Sequence, residues 1–236
     1  SKKSIFSFSI KKCCFSNEII YEILKIGIPT LTFQLLTSVS ISLTNMQAKL
    51  YGDYAIAAMG AAARIISMGS LVVFGFTKGF QPIAGYSYGA KKYERLNEAV
   101  KVSIILTTLF CTLYGSAAAI FSEEIISQFT KGDIQMIAVG QRALLFNGIS
   151  FILFGFYTVY SSLFLALGKA GDGFILGSCR QGICFIPIIF ILPEIFGING
   201  IIYAQPVSDI LSAVLAAIMA LNLHKNIMTE KSSFSL

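Results

Sequence analysis

GFILGSCRQGICFIPIIFILPEIFGINGIIYAQPVSDILSAVLAAIMALNL, residues 173–223, decides the fold. Over these 51 residues only Arg180, Glu194 and Asp209 carry charge. A helix rises about 1.5 Å per residue, so about 20 apolar residues cross the hydrocarbon of a bilayer. Two such lengths are present, Gly173–Pro193 and Ile195–Leu223, and FGING (Phe196–Gly200) at the start of the second has glycines that permit a tight turn. The apolar runs are continuous and do not alternate with period two, which rejects membrane β-strands.

The same reading extends outward. Ile26–Ala48, Val102–Ser122 and Ala143–Gly168 are free of charge, and Tyr54–Tyr88 carries only Arg64 and Lys78. An all-α membrane protein is predicted, a bundle of six transmembrane helices over about 24–50, 55–89, 100–122, 137–168, 171–193 and 196–223. Residues 1–22 read as a cytoplasmic segment and 224–236 as a mobile cytoplasmic tail. Ala90–Glu98 (AKKYERLNE) reads as a charged connector, and Glu123, Glu124, Lys131, Gly132 and Asp133 as an external loop.

Composition agrees. Of the 236 residues 55% are hydrophobic and 13% charged, where soluble domains average about 45–50% and about 25%. Mean hydropathy is +0.74. Disorder is excluded by these values, and five cysteines are too sparse for a disulfide scaffold. The net charge of +6 does not mark a nucleic-acid binder, because the cations sit at the ends of apolar runs and not on one soluble face. Lys2, Lys3, Lys11, Lys12, Lys25, Lys91, Lys92, Arg95, Lys101, Lys169, Lys225 and Lys231, twelve of the eighteen, fall on one side of a six-span topology. The positive-inside rule then places both termini in the cytoplasm. No secretory signal is visible, and the chain opens on Ser1 within a polar stretch, as a processed chain or a piece of a longer one would.

Charge at membrane depth is costly and faces a partner or a wet cavity. Arg180 and Asp209 both fall near the midplane of consecutive spans, so an ion pair between them is predicted. It either locks two helices together or lines a substrate or proton path. Lys78 sits among Gly75, Gly79, Gly85 and Gly89, a spacing that allows close helix packing. Pro29, Pro82, Pro187 and Pro206 mark bends or hinges, and bent helices are where transporters place binding sites. Gln34, Thr37, Arg64, Gln81, Tyr157, Tyr160 and Gln181 are the candidate lining of a substrate cavity, with interhelical hydrogen bonding as their plainer role. Catalysis has little to work with. The only histidine, His224, lies in the tail, and no two acidic residues share a span. The expectation is no enzyme, no metal and no cofactor. Cys13 and Cys14 read as free cytoplasmic thiols, and Cys111, Cys179 and Cys184 as small apolar fillers.

These residues resemble a known family. SCRQGICFIPIIFILPEIFGINGIIYAQPVSD (178–209) is similar to the last two helices of multidrug and toxic compound extrusion (MATE) transporters. GFTKGFQPIAGYSYGAKKYERL (75–96) resembles the family's eighth-helix segment, and IGIPTLTFQLLTS (26–38) the start of its seventh. The likeness runs from about Leu24 to Leu223 and is nearest to the bacterial MepA-like branch. It implies a carboxy-terminal six-helix bundle, half of a twelve-helix transporter, whose partner is a missing amino-terminal bundle or a second half. It implies secondary active efflux in the bacterial inner membrane, with Na⁺ or H⁺ exchanged for amphipathic or cationic drugs between rocking bundles. Some branches carry acidic residues on the helices matching the first and fourth here. This chain has Gln34 and Thr37 on one, and Phe156, Tyr157 and Tyr160 on the other, so a coupling carboxylate is expected in the missing bundle. The rival expectations are a lipid-linked saccharide flippase of the same superfamily, served by Arg64, Lys78 and Arg180, and a bundle that transports nothing.

Overall fold

The computed structural model describes residues 16–130 and 132–233. The lysines and the Cys13–Cys14 pair before Ser16, and Lys131, lie outside the described residues. The described chain is helical throughout: α1 (Asn17–Lys49), α2 (Asp53–Gly89), α3 (Tyr93–Ile120), α4 (Ser122–Ser127), α5 (Ile134–Ala166), α6 (Ala170–Ser178), α7 (Phe185–Phe196) and α8 (Ile198–Ser233). A π-turn, Cys179–Ile183, joins α6 to α7 within one span. Among the described residues five spans are long and apolar enough to cross a membrane: α2, α3, α5, α6 with α7, and α8. α1 contributes a sixth long helix of 33 residues. This is a multi-pass membrane protein.

Several boundaries differ from the sequence reading. α1 begins at Asn17, inside the predicted polar segment, and α8 runs to Ser233 through the predicted tail. A helix need not end where hydrocarbon ends, because Lys, Glu and Leu remain good helix formers in water. α3 starts at Tyr93, so much of the predicted connector is helix. The chain reverses at Lys91, which adopts φ 55°, and α3 is then anchored by buried Leu96 and Val100. The segment predicted as an external loop contains α4, and Asp133 caps α5 by accepting hydrogen bonds from the Gln135 and Met136 amides at 2.9 and 3.1 Å. The fifth span is interrupted by the π-turn.

α5 is the axis of the bundle. It packs against α2, α3 and α8, and more narrowly against α4 and α6. Its approach to α3 is made through glycine: a Cβ on Gly155 would lie 2.9 Å from the Thr107 carbonyl, and Gly115 and Gly148 oppose one another across the same contact. Small residues let membrane helices meet backbone to backbone, where dispersion and weak polar contacts act at shortest range. Apolar side chains form two clusters. One gathers Ala48, Met59, Ala118, Leu144, Phe185 and Ile202, and the other Val73, Cys111, Phe151, Phe164, Leu176 and Ala216. Each of the five apolar spans changes from one cluster to the other part-way along, and buried Ser150, Arg180, Ser208 and Asp209 sit at that waist.

Candidate functional site

Arg180 lies in the π-turn between Leu176 of one cluster and Phe185 of the other. Asp209 lies on α8 between Ala204 and Ala216, and Ser150 on α5 between Leu144 and Phe151. The fold brings the three together. Arg180 Nε donates to Asp209 Oδ1 at 2.7 Å, and both side chains are buried, at 8% and 4% exposure. Gln205 Nε2 donates to the same oxygen at 2.8 Å, and Ser150 Oγ to Asp209 Oδ2 at 2.9 Å. The guanidinium carbon sits 4.7 Å from the centre of the Phe154 ring, within the range of a cation–π contact. Both carboxylate oxygens thus have donors, and the cation has a carboxylate and an aromatic face. An unpartnered charge at this depth would be strongly destabilising.

The π-turn exposes backbone that a regular helix would use internally. The Cys184 amide reaches back five residues to the Cys179 carbonyl at 3.0 Å, and Pro187 brings no N–H to the turn that follows. Two serines from neighbouring helices donate to carbonyls of the turn. Ser208 Oγ of α8 donates to the Arg180 carbonyl at 2.7 Å, and Ser40 Oγ of α1 donates to that of Gln181. Tyr157 of α5 donates to the Leu176 carbonyl at 2.9 Å, just before the turn. Polar groups from three helices therefore hold one irregular segment, as membrane depth requires of any unpaired backbone.

Beside this support lies a cleft of ≈ 310 Å³. Thr30, Phe33 and Gln34 come from α1, and Phe74, Thr77, Lys78 and Gln81 from α2. α5 adds Tyr157, Thr158, Ser161, Ser162 and Leu165, and α6 adds Gly173 and Gly177, which leave the wall open. Phe33 and Phe74 meet edge to face with ring centres 6.1 Å apart, giving an aromatic wall. Pro82, inside α2, lacks the N–H that would bond the Lys78 carbonyl within the helix. The lining carries one charge, the ammonium of Lys78, and no carboxylate. Among the described residues no cluster of three or more His, Cys, Asp or Glu is present that could hold a metal ion.

Of the candidate lining, Gln34, Gln81 and Tyr157 reach the cleft, as does Lys78. Thr37 turns its hydroxyl back to the Phe33 carbonyl at 2.8 Å. Tyr160 packs on Phe156 with ring centres 4.9 Å apart, and Arg64 is exposed on α2 away from the cleft. Gln181 belongs to the π-turn. Pro82 and Pro206 lie inside α2 and α8, Pro187 in the first turn of α7, and Pro29 within α1. Sequence reasoning passed over Ser40, Ser150, Gln205 and Ser208, the partners of the ion pair and of the π-turn. It also passed over the Ser161–Ser162 edge of the cleft. The four-residue spacing of Gln205 and Asp209 was a usable signal, since such residues share a helix face. The serines carried none.

The family described as MatE matches residues 29–191. The chain belongs to the MatE family. Multidrug export protein MepA of Staphylococcus haemolyticus is 26% identical over 232 residues, covering 98% of this chain and 51% of the relative. The protein of that name from Staphylococcus aureus is 28% identical over 235 residues, covering 97% and 50%. The chain thus spans about half the length of the curated relatives it matches. Solved MATE structures share the fold. An outward-facing multidrug-resistance MATE transporter superposes with a TM-score of 0.86 at 19% identity, over 96% of this chain and 51% of its own. A transporter from Pyrococcus furiosus, described as having a binding pocket of reverse polarity that suggests a different function, gives 0.84 at 19% identity over 93% and 50%.

Proposed function

We propose that this chain is the carboxy-terminal half of a multidrug efflux antiporter of the MatE family. The observation that carries the reading is the cleft between α1, α2, α5 and α6, where Phe33, Phe74 and Leu165 are interspersed with the amides of Gln34 and Gln81 and the hydroxyls of Tyr157, Ser161 and Ser162. Such a surface binds amphipathic molecules by area, with few directional demands, which suits a broad substrate range. Membership of the MatE family and the named activity of the MepA relatives support the same direction. Both termini face the cytoplasm. Transport runs by alternating access, with this bundle rocking against an amino-terminal bundle. The driving ion is Na⁺ or H⁺, and the carboxylate that binds it lies in the absent half, because the cleft lining here has none.

The test is co-expression in an efflux-deficient bacterium. This chain alone is expected to leave ethidium accumulation unchanged, and this chain with the amino-terminal half of a MepA relative to lower it. Unchanged accumulation in the paired cells, with both halves present in the membrane, would overturn the reading. A second reading rests on Lys78, the one charge in the lining. A lipid-linked saccharide carries phosphate that an ammonium would favour. Lys78→Ala separates the two. It should leave transport of cationic dyes intact or improved in an efflux pump, and abolish translocation of the lipid in a flippase.

A further inference from the structure

The π-turn brings together two thiols that a regular helix would keep apart. Cys179 and Cys184 are five residues apart, and their Sγ atoms lie 2.9 Å from one another. At 3.6 residues per turn, residues five apart point about 140° away from each other around an α-helix. The extra residue in the π-turn rotates them back toward one face. The backbone hydrogen bond that closes the turn, Cys184 N–H to the Cys179 carbonyl at 3.0 Å, joins these same two residues. Both thiols are free, Cys179 buried and Cys184 half-buried. Cys111, the third cysteine among the described residues, is buried on α3 and lines up with neither. None of the transport reading uses this pair.

We infer that Cys179 and Cys184 form a dithiol site for a soft, thiophilic trivalent centre, of which an organic arsenical is the representative. Such a centre bonds two sulfurs at near-contact separation, which is the arrangement the π-turn prepares. The reaction is a condensation without redox change. The arsenic–oxygen bonds of phenylarsine oxide and two S–H bonds break, two arsenic–sulfur bonds form, and the oxygen leaves with both protons as water. Arsenic stays trivalent. The reagent is apolar and reaches the half-buried Cys184 sulfur from within the bilayer. Once closed, the ring holds the π-turn, because a regular helix would carry the two sulfurs apart.

The experiment uses the full chain in detergent with Cys13 and Cys14 replaced by Ser, since those neighbours would also capture an arsenical. Phenylarsine oxide is expected to add once per chain by intact mass. Peptide mapping should place the bridge on the fragment holding Cys179 and Cys184. A dithiol such as 2,3-dimercaptopropanol should release it, and a monothiol in the same excess should not. Cys179→Ser and Cys184→Ser should each lose the adduct while eluting as the parent does. Mapping on the parent protein keeps the test decisive even where a serine variant folds poorly. No adduct on the parent, a bridge mapped to Cys111, or an adduct retained in Cys184→Ser would each overturn the inference.

Discussion

Asp209 shows what a single carboxylate does at the waist of this bundle. Three donors from three places, Arg180 in the π-turn, Gln205 on its own helix and Ser150 on α5, converge on its two oxygens. Removing the carboxylate alone strands a buried guanidinium. Asp209→Leu is therefore expected to destabilise the bundle by about 3–5 kcal/mol, seen as a lower melting midpoint in detergent. Pairing it with Arg180→Met removes both charges, and the double variant should recover most of that loss. If the double variant melts no higher than the single one, the pair is not a mutual lock. The pair was legible in the sequence because charge in an apolar run is conspicuous and its cost forces a partner. Gln205 and the serines were not, because an uncharged polar residue in a membrane helix is cheap enough to lie almost anywhere.

At the scale of elements, the fifth span is the instructive one. Its apolar length was readable, but its interruption was not. A π-turn adds one residue to a helix, and continuous apolar sequence hides such a slip because no polar stripe marks the phase. Ser40→Ala and Ser208→Ala each remove one donor from a carbonyl of the turn, and each should cost about 1 kcal/mol. The double variant should cost more than either alone, measured by thermal unfolding in detergent. A different element contact depends on what is absent. Gly155→Ala places a methyl group against the Thr107 backbone at 2.9 Å and should lower stability by about 1–3 kcal/mol through overpacking. Gly60→Ala, where nothing lies within 4 Å, should be neutral or slightly stabilising, since Ala is the better helix former by about 1 kcal/mol. Helix ends were the weakest part of the sequence reading. Hydropathy marks where lipid stops, whereas α1, α3 and α8 continue through charged residues that favour helix in water as well.

For the whole molecule, the six long helices and their order could be read because a bilayer leaves a chain few alternatives. The shape of the cleft could not. It depends on which faces of α1, α2, α5 and α6 meet, and continuous apolar runs do not say which face turns inward. That is why Gln34, Gln81 and Tyr157 reach the cleft while Thr37, Arg64 and Tyr160 do not. Orientation is open to direct measurement. Cysteines placed singly in a cysteine-free chain at position 2 and at position 235 are expected to resist an impermeant maleimide in intact cells and to react once the cells are opened. Labelling of either from outside would reverse the topology.

The backbone contact between α3 and α5 has one more consequence. Where Gly115, Gly148 and Gly155 let two helices touch with no side chains between them, neither water nor a lipid tail can slip in. Those two helices must then travel as a single plank in any motion of the bundle. Their amide protons around residues 107–119 and 144–158 should be among the last to exchange into heavy water. The seam that yields would run where α1 rests on α6 and α7.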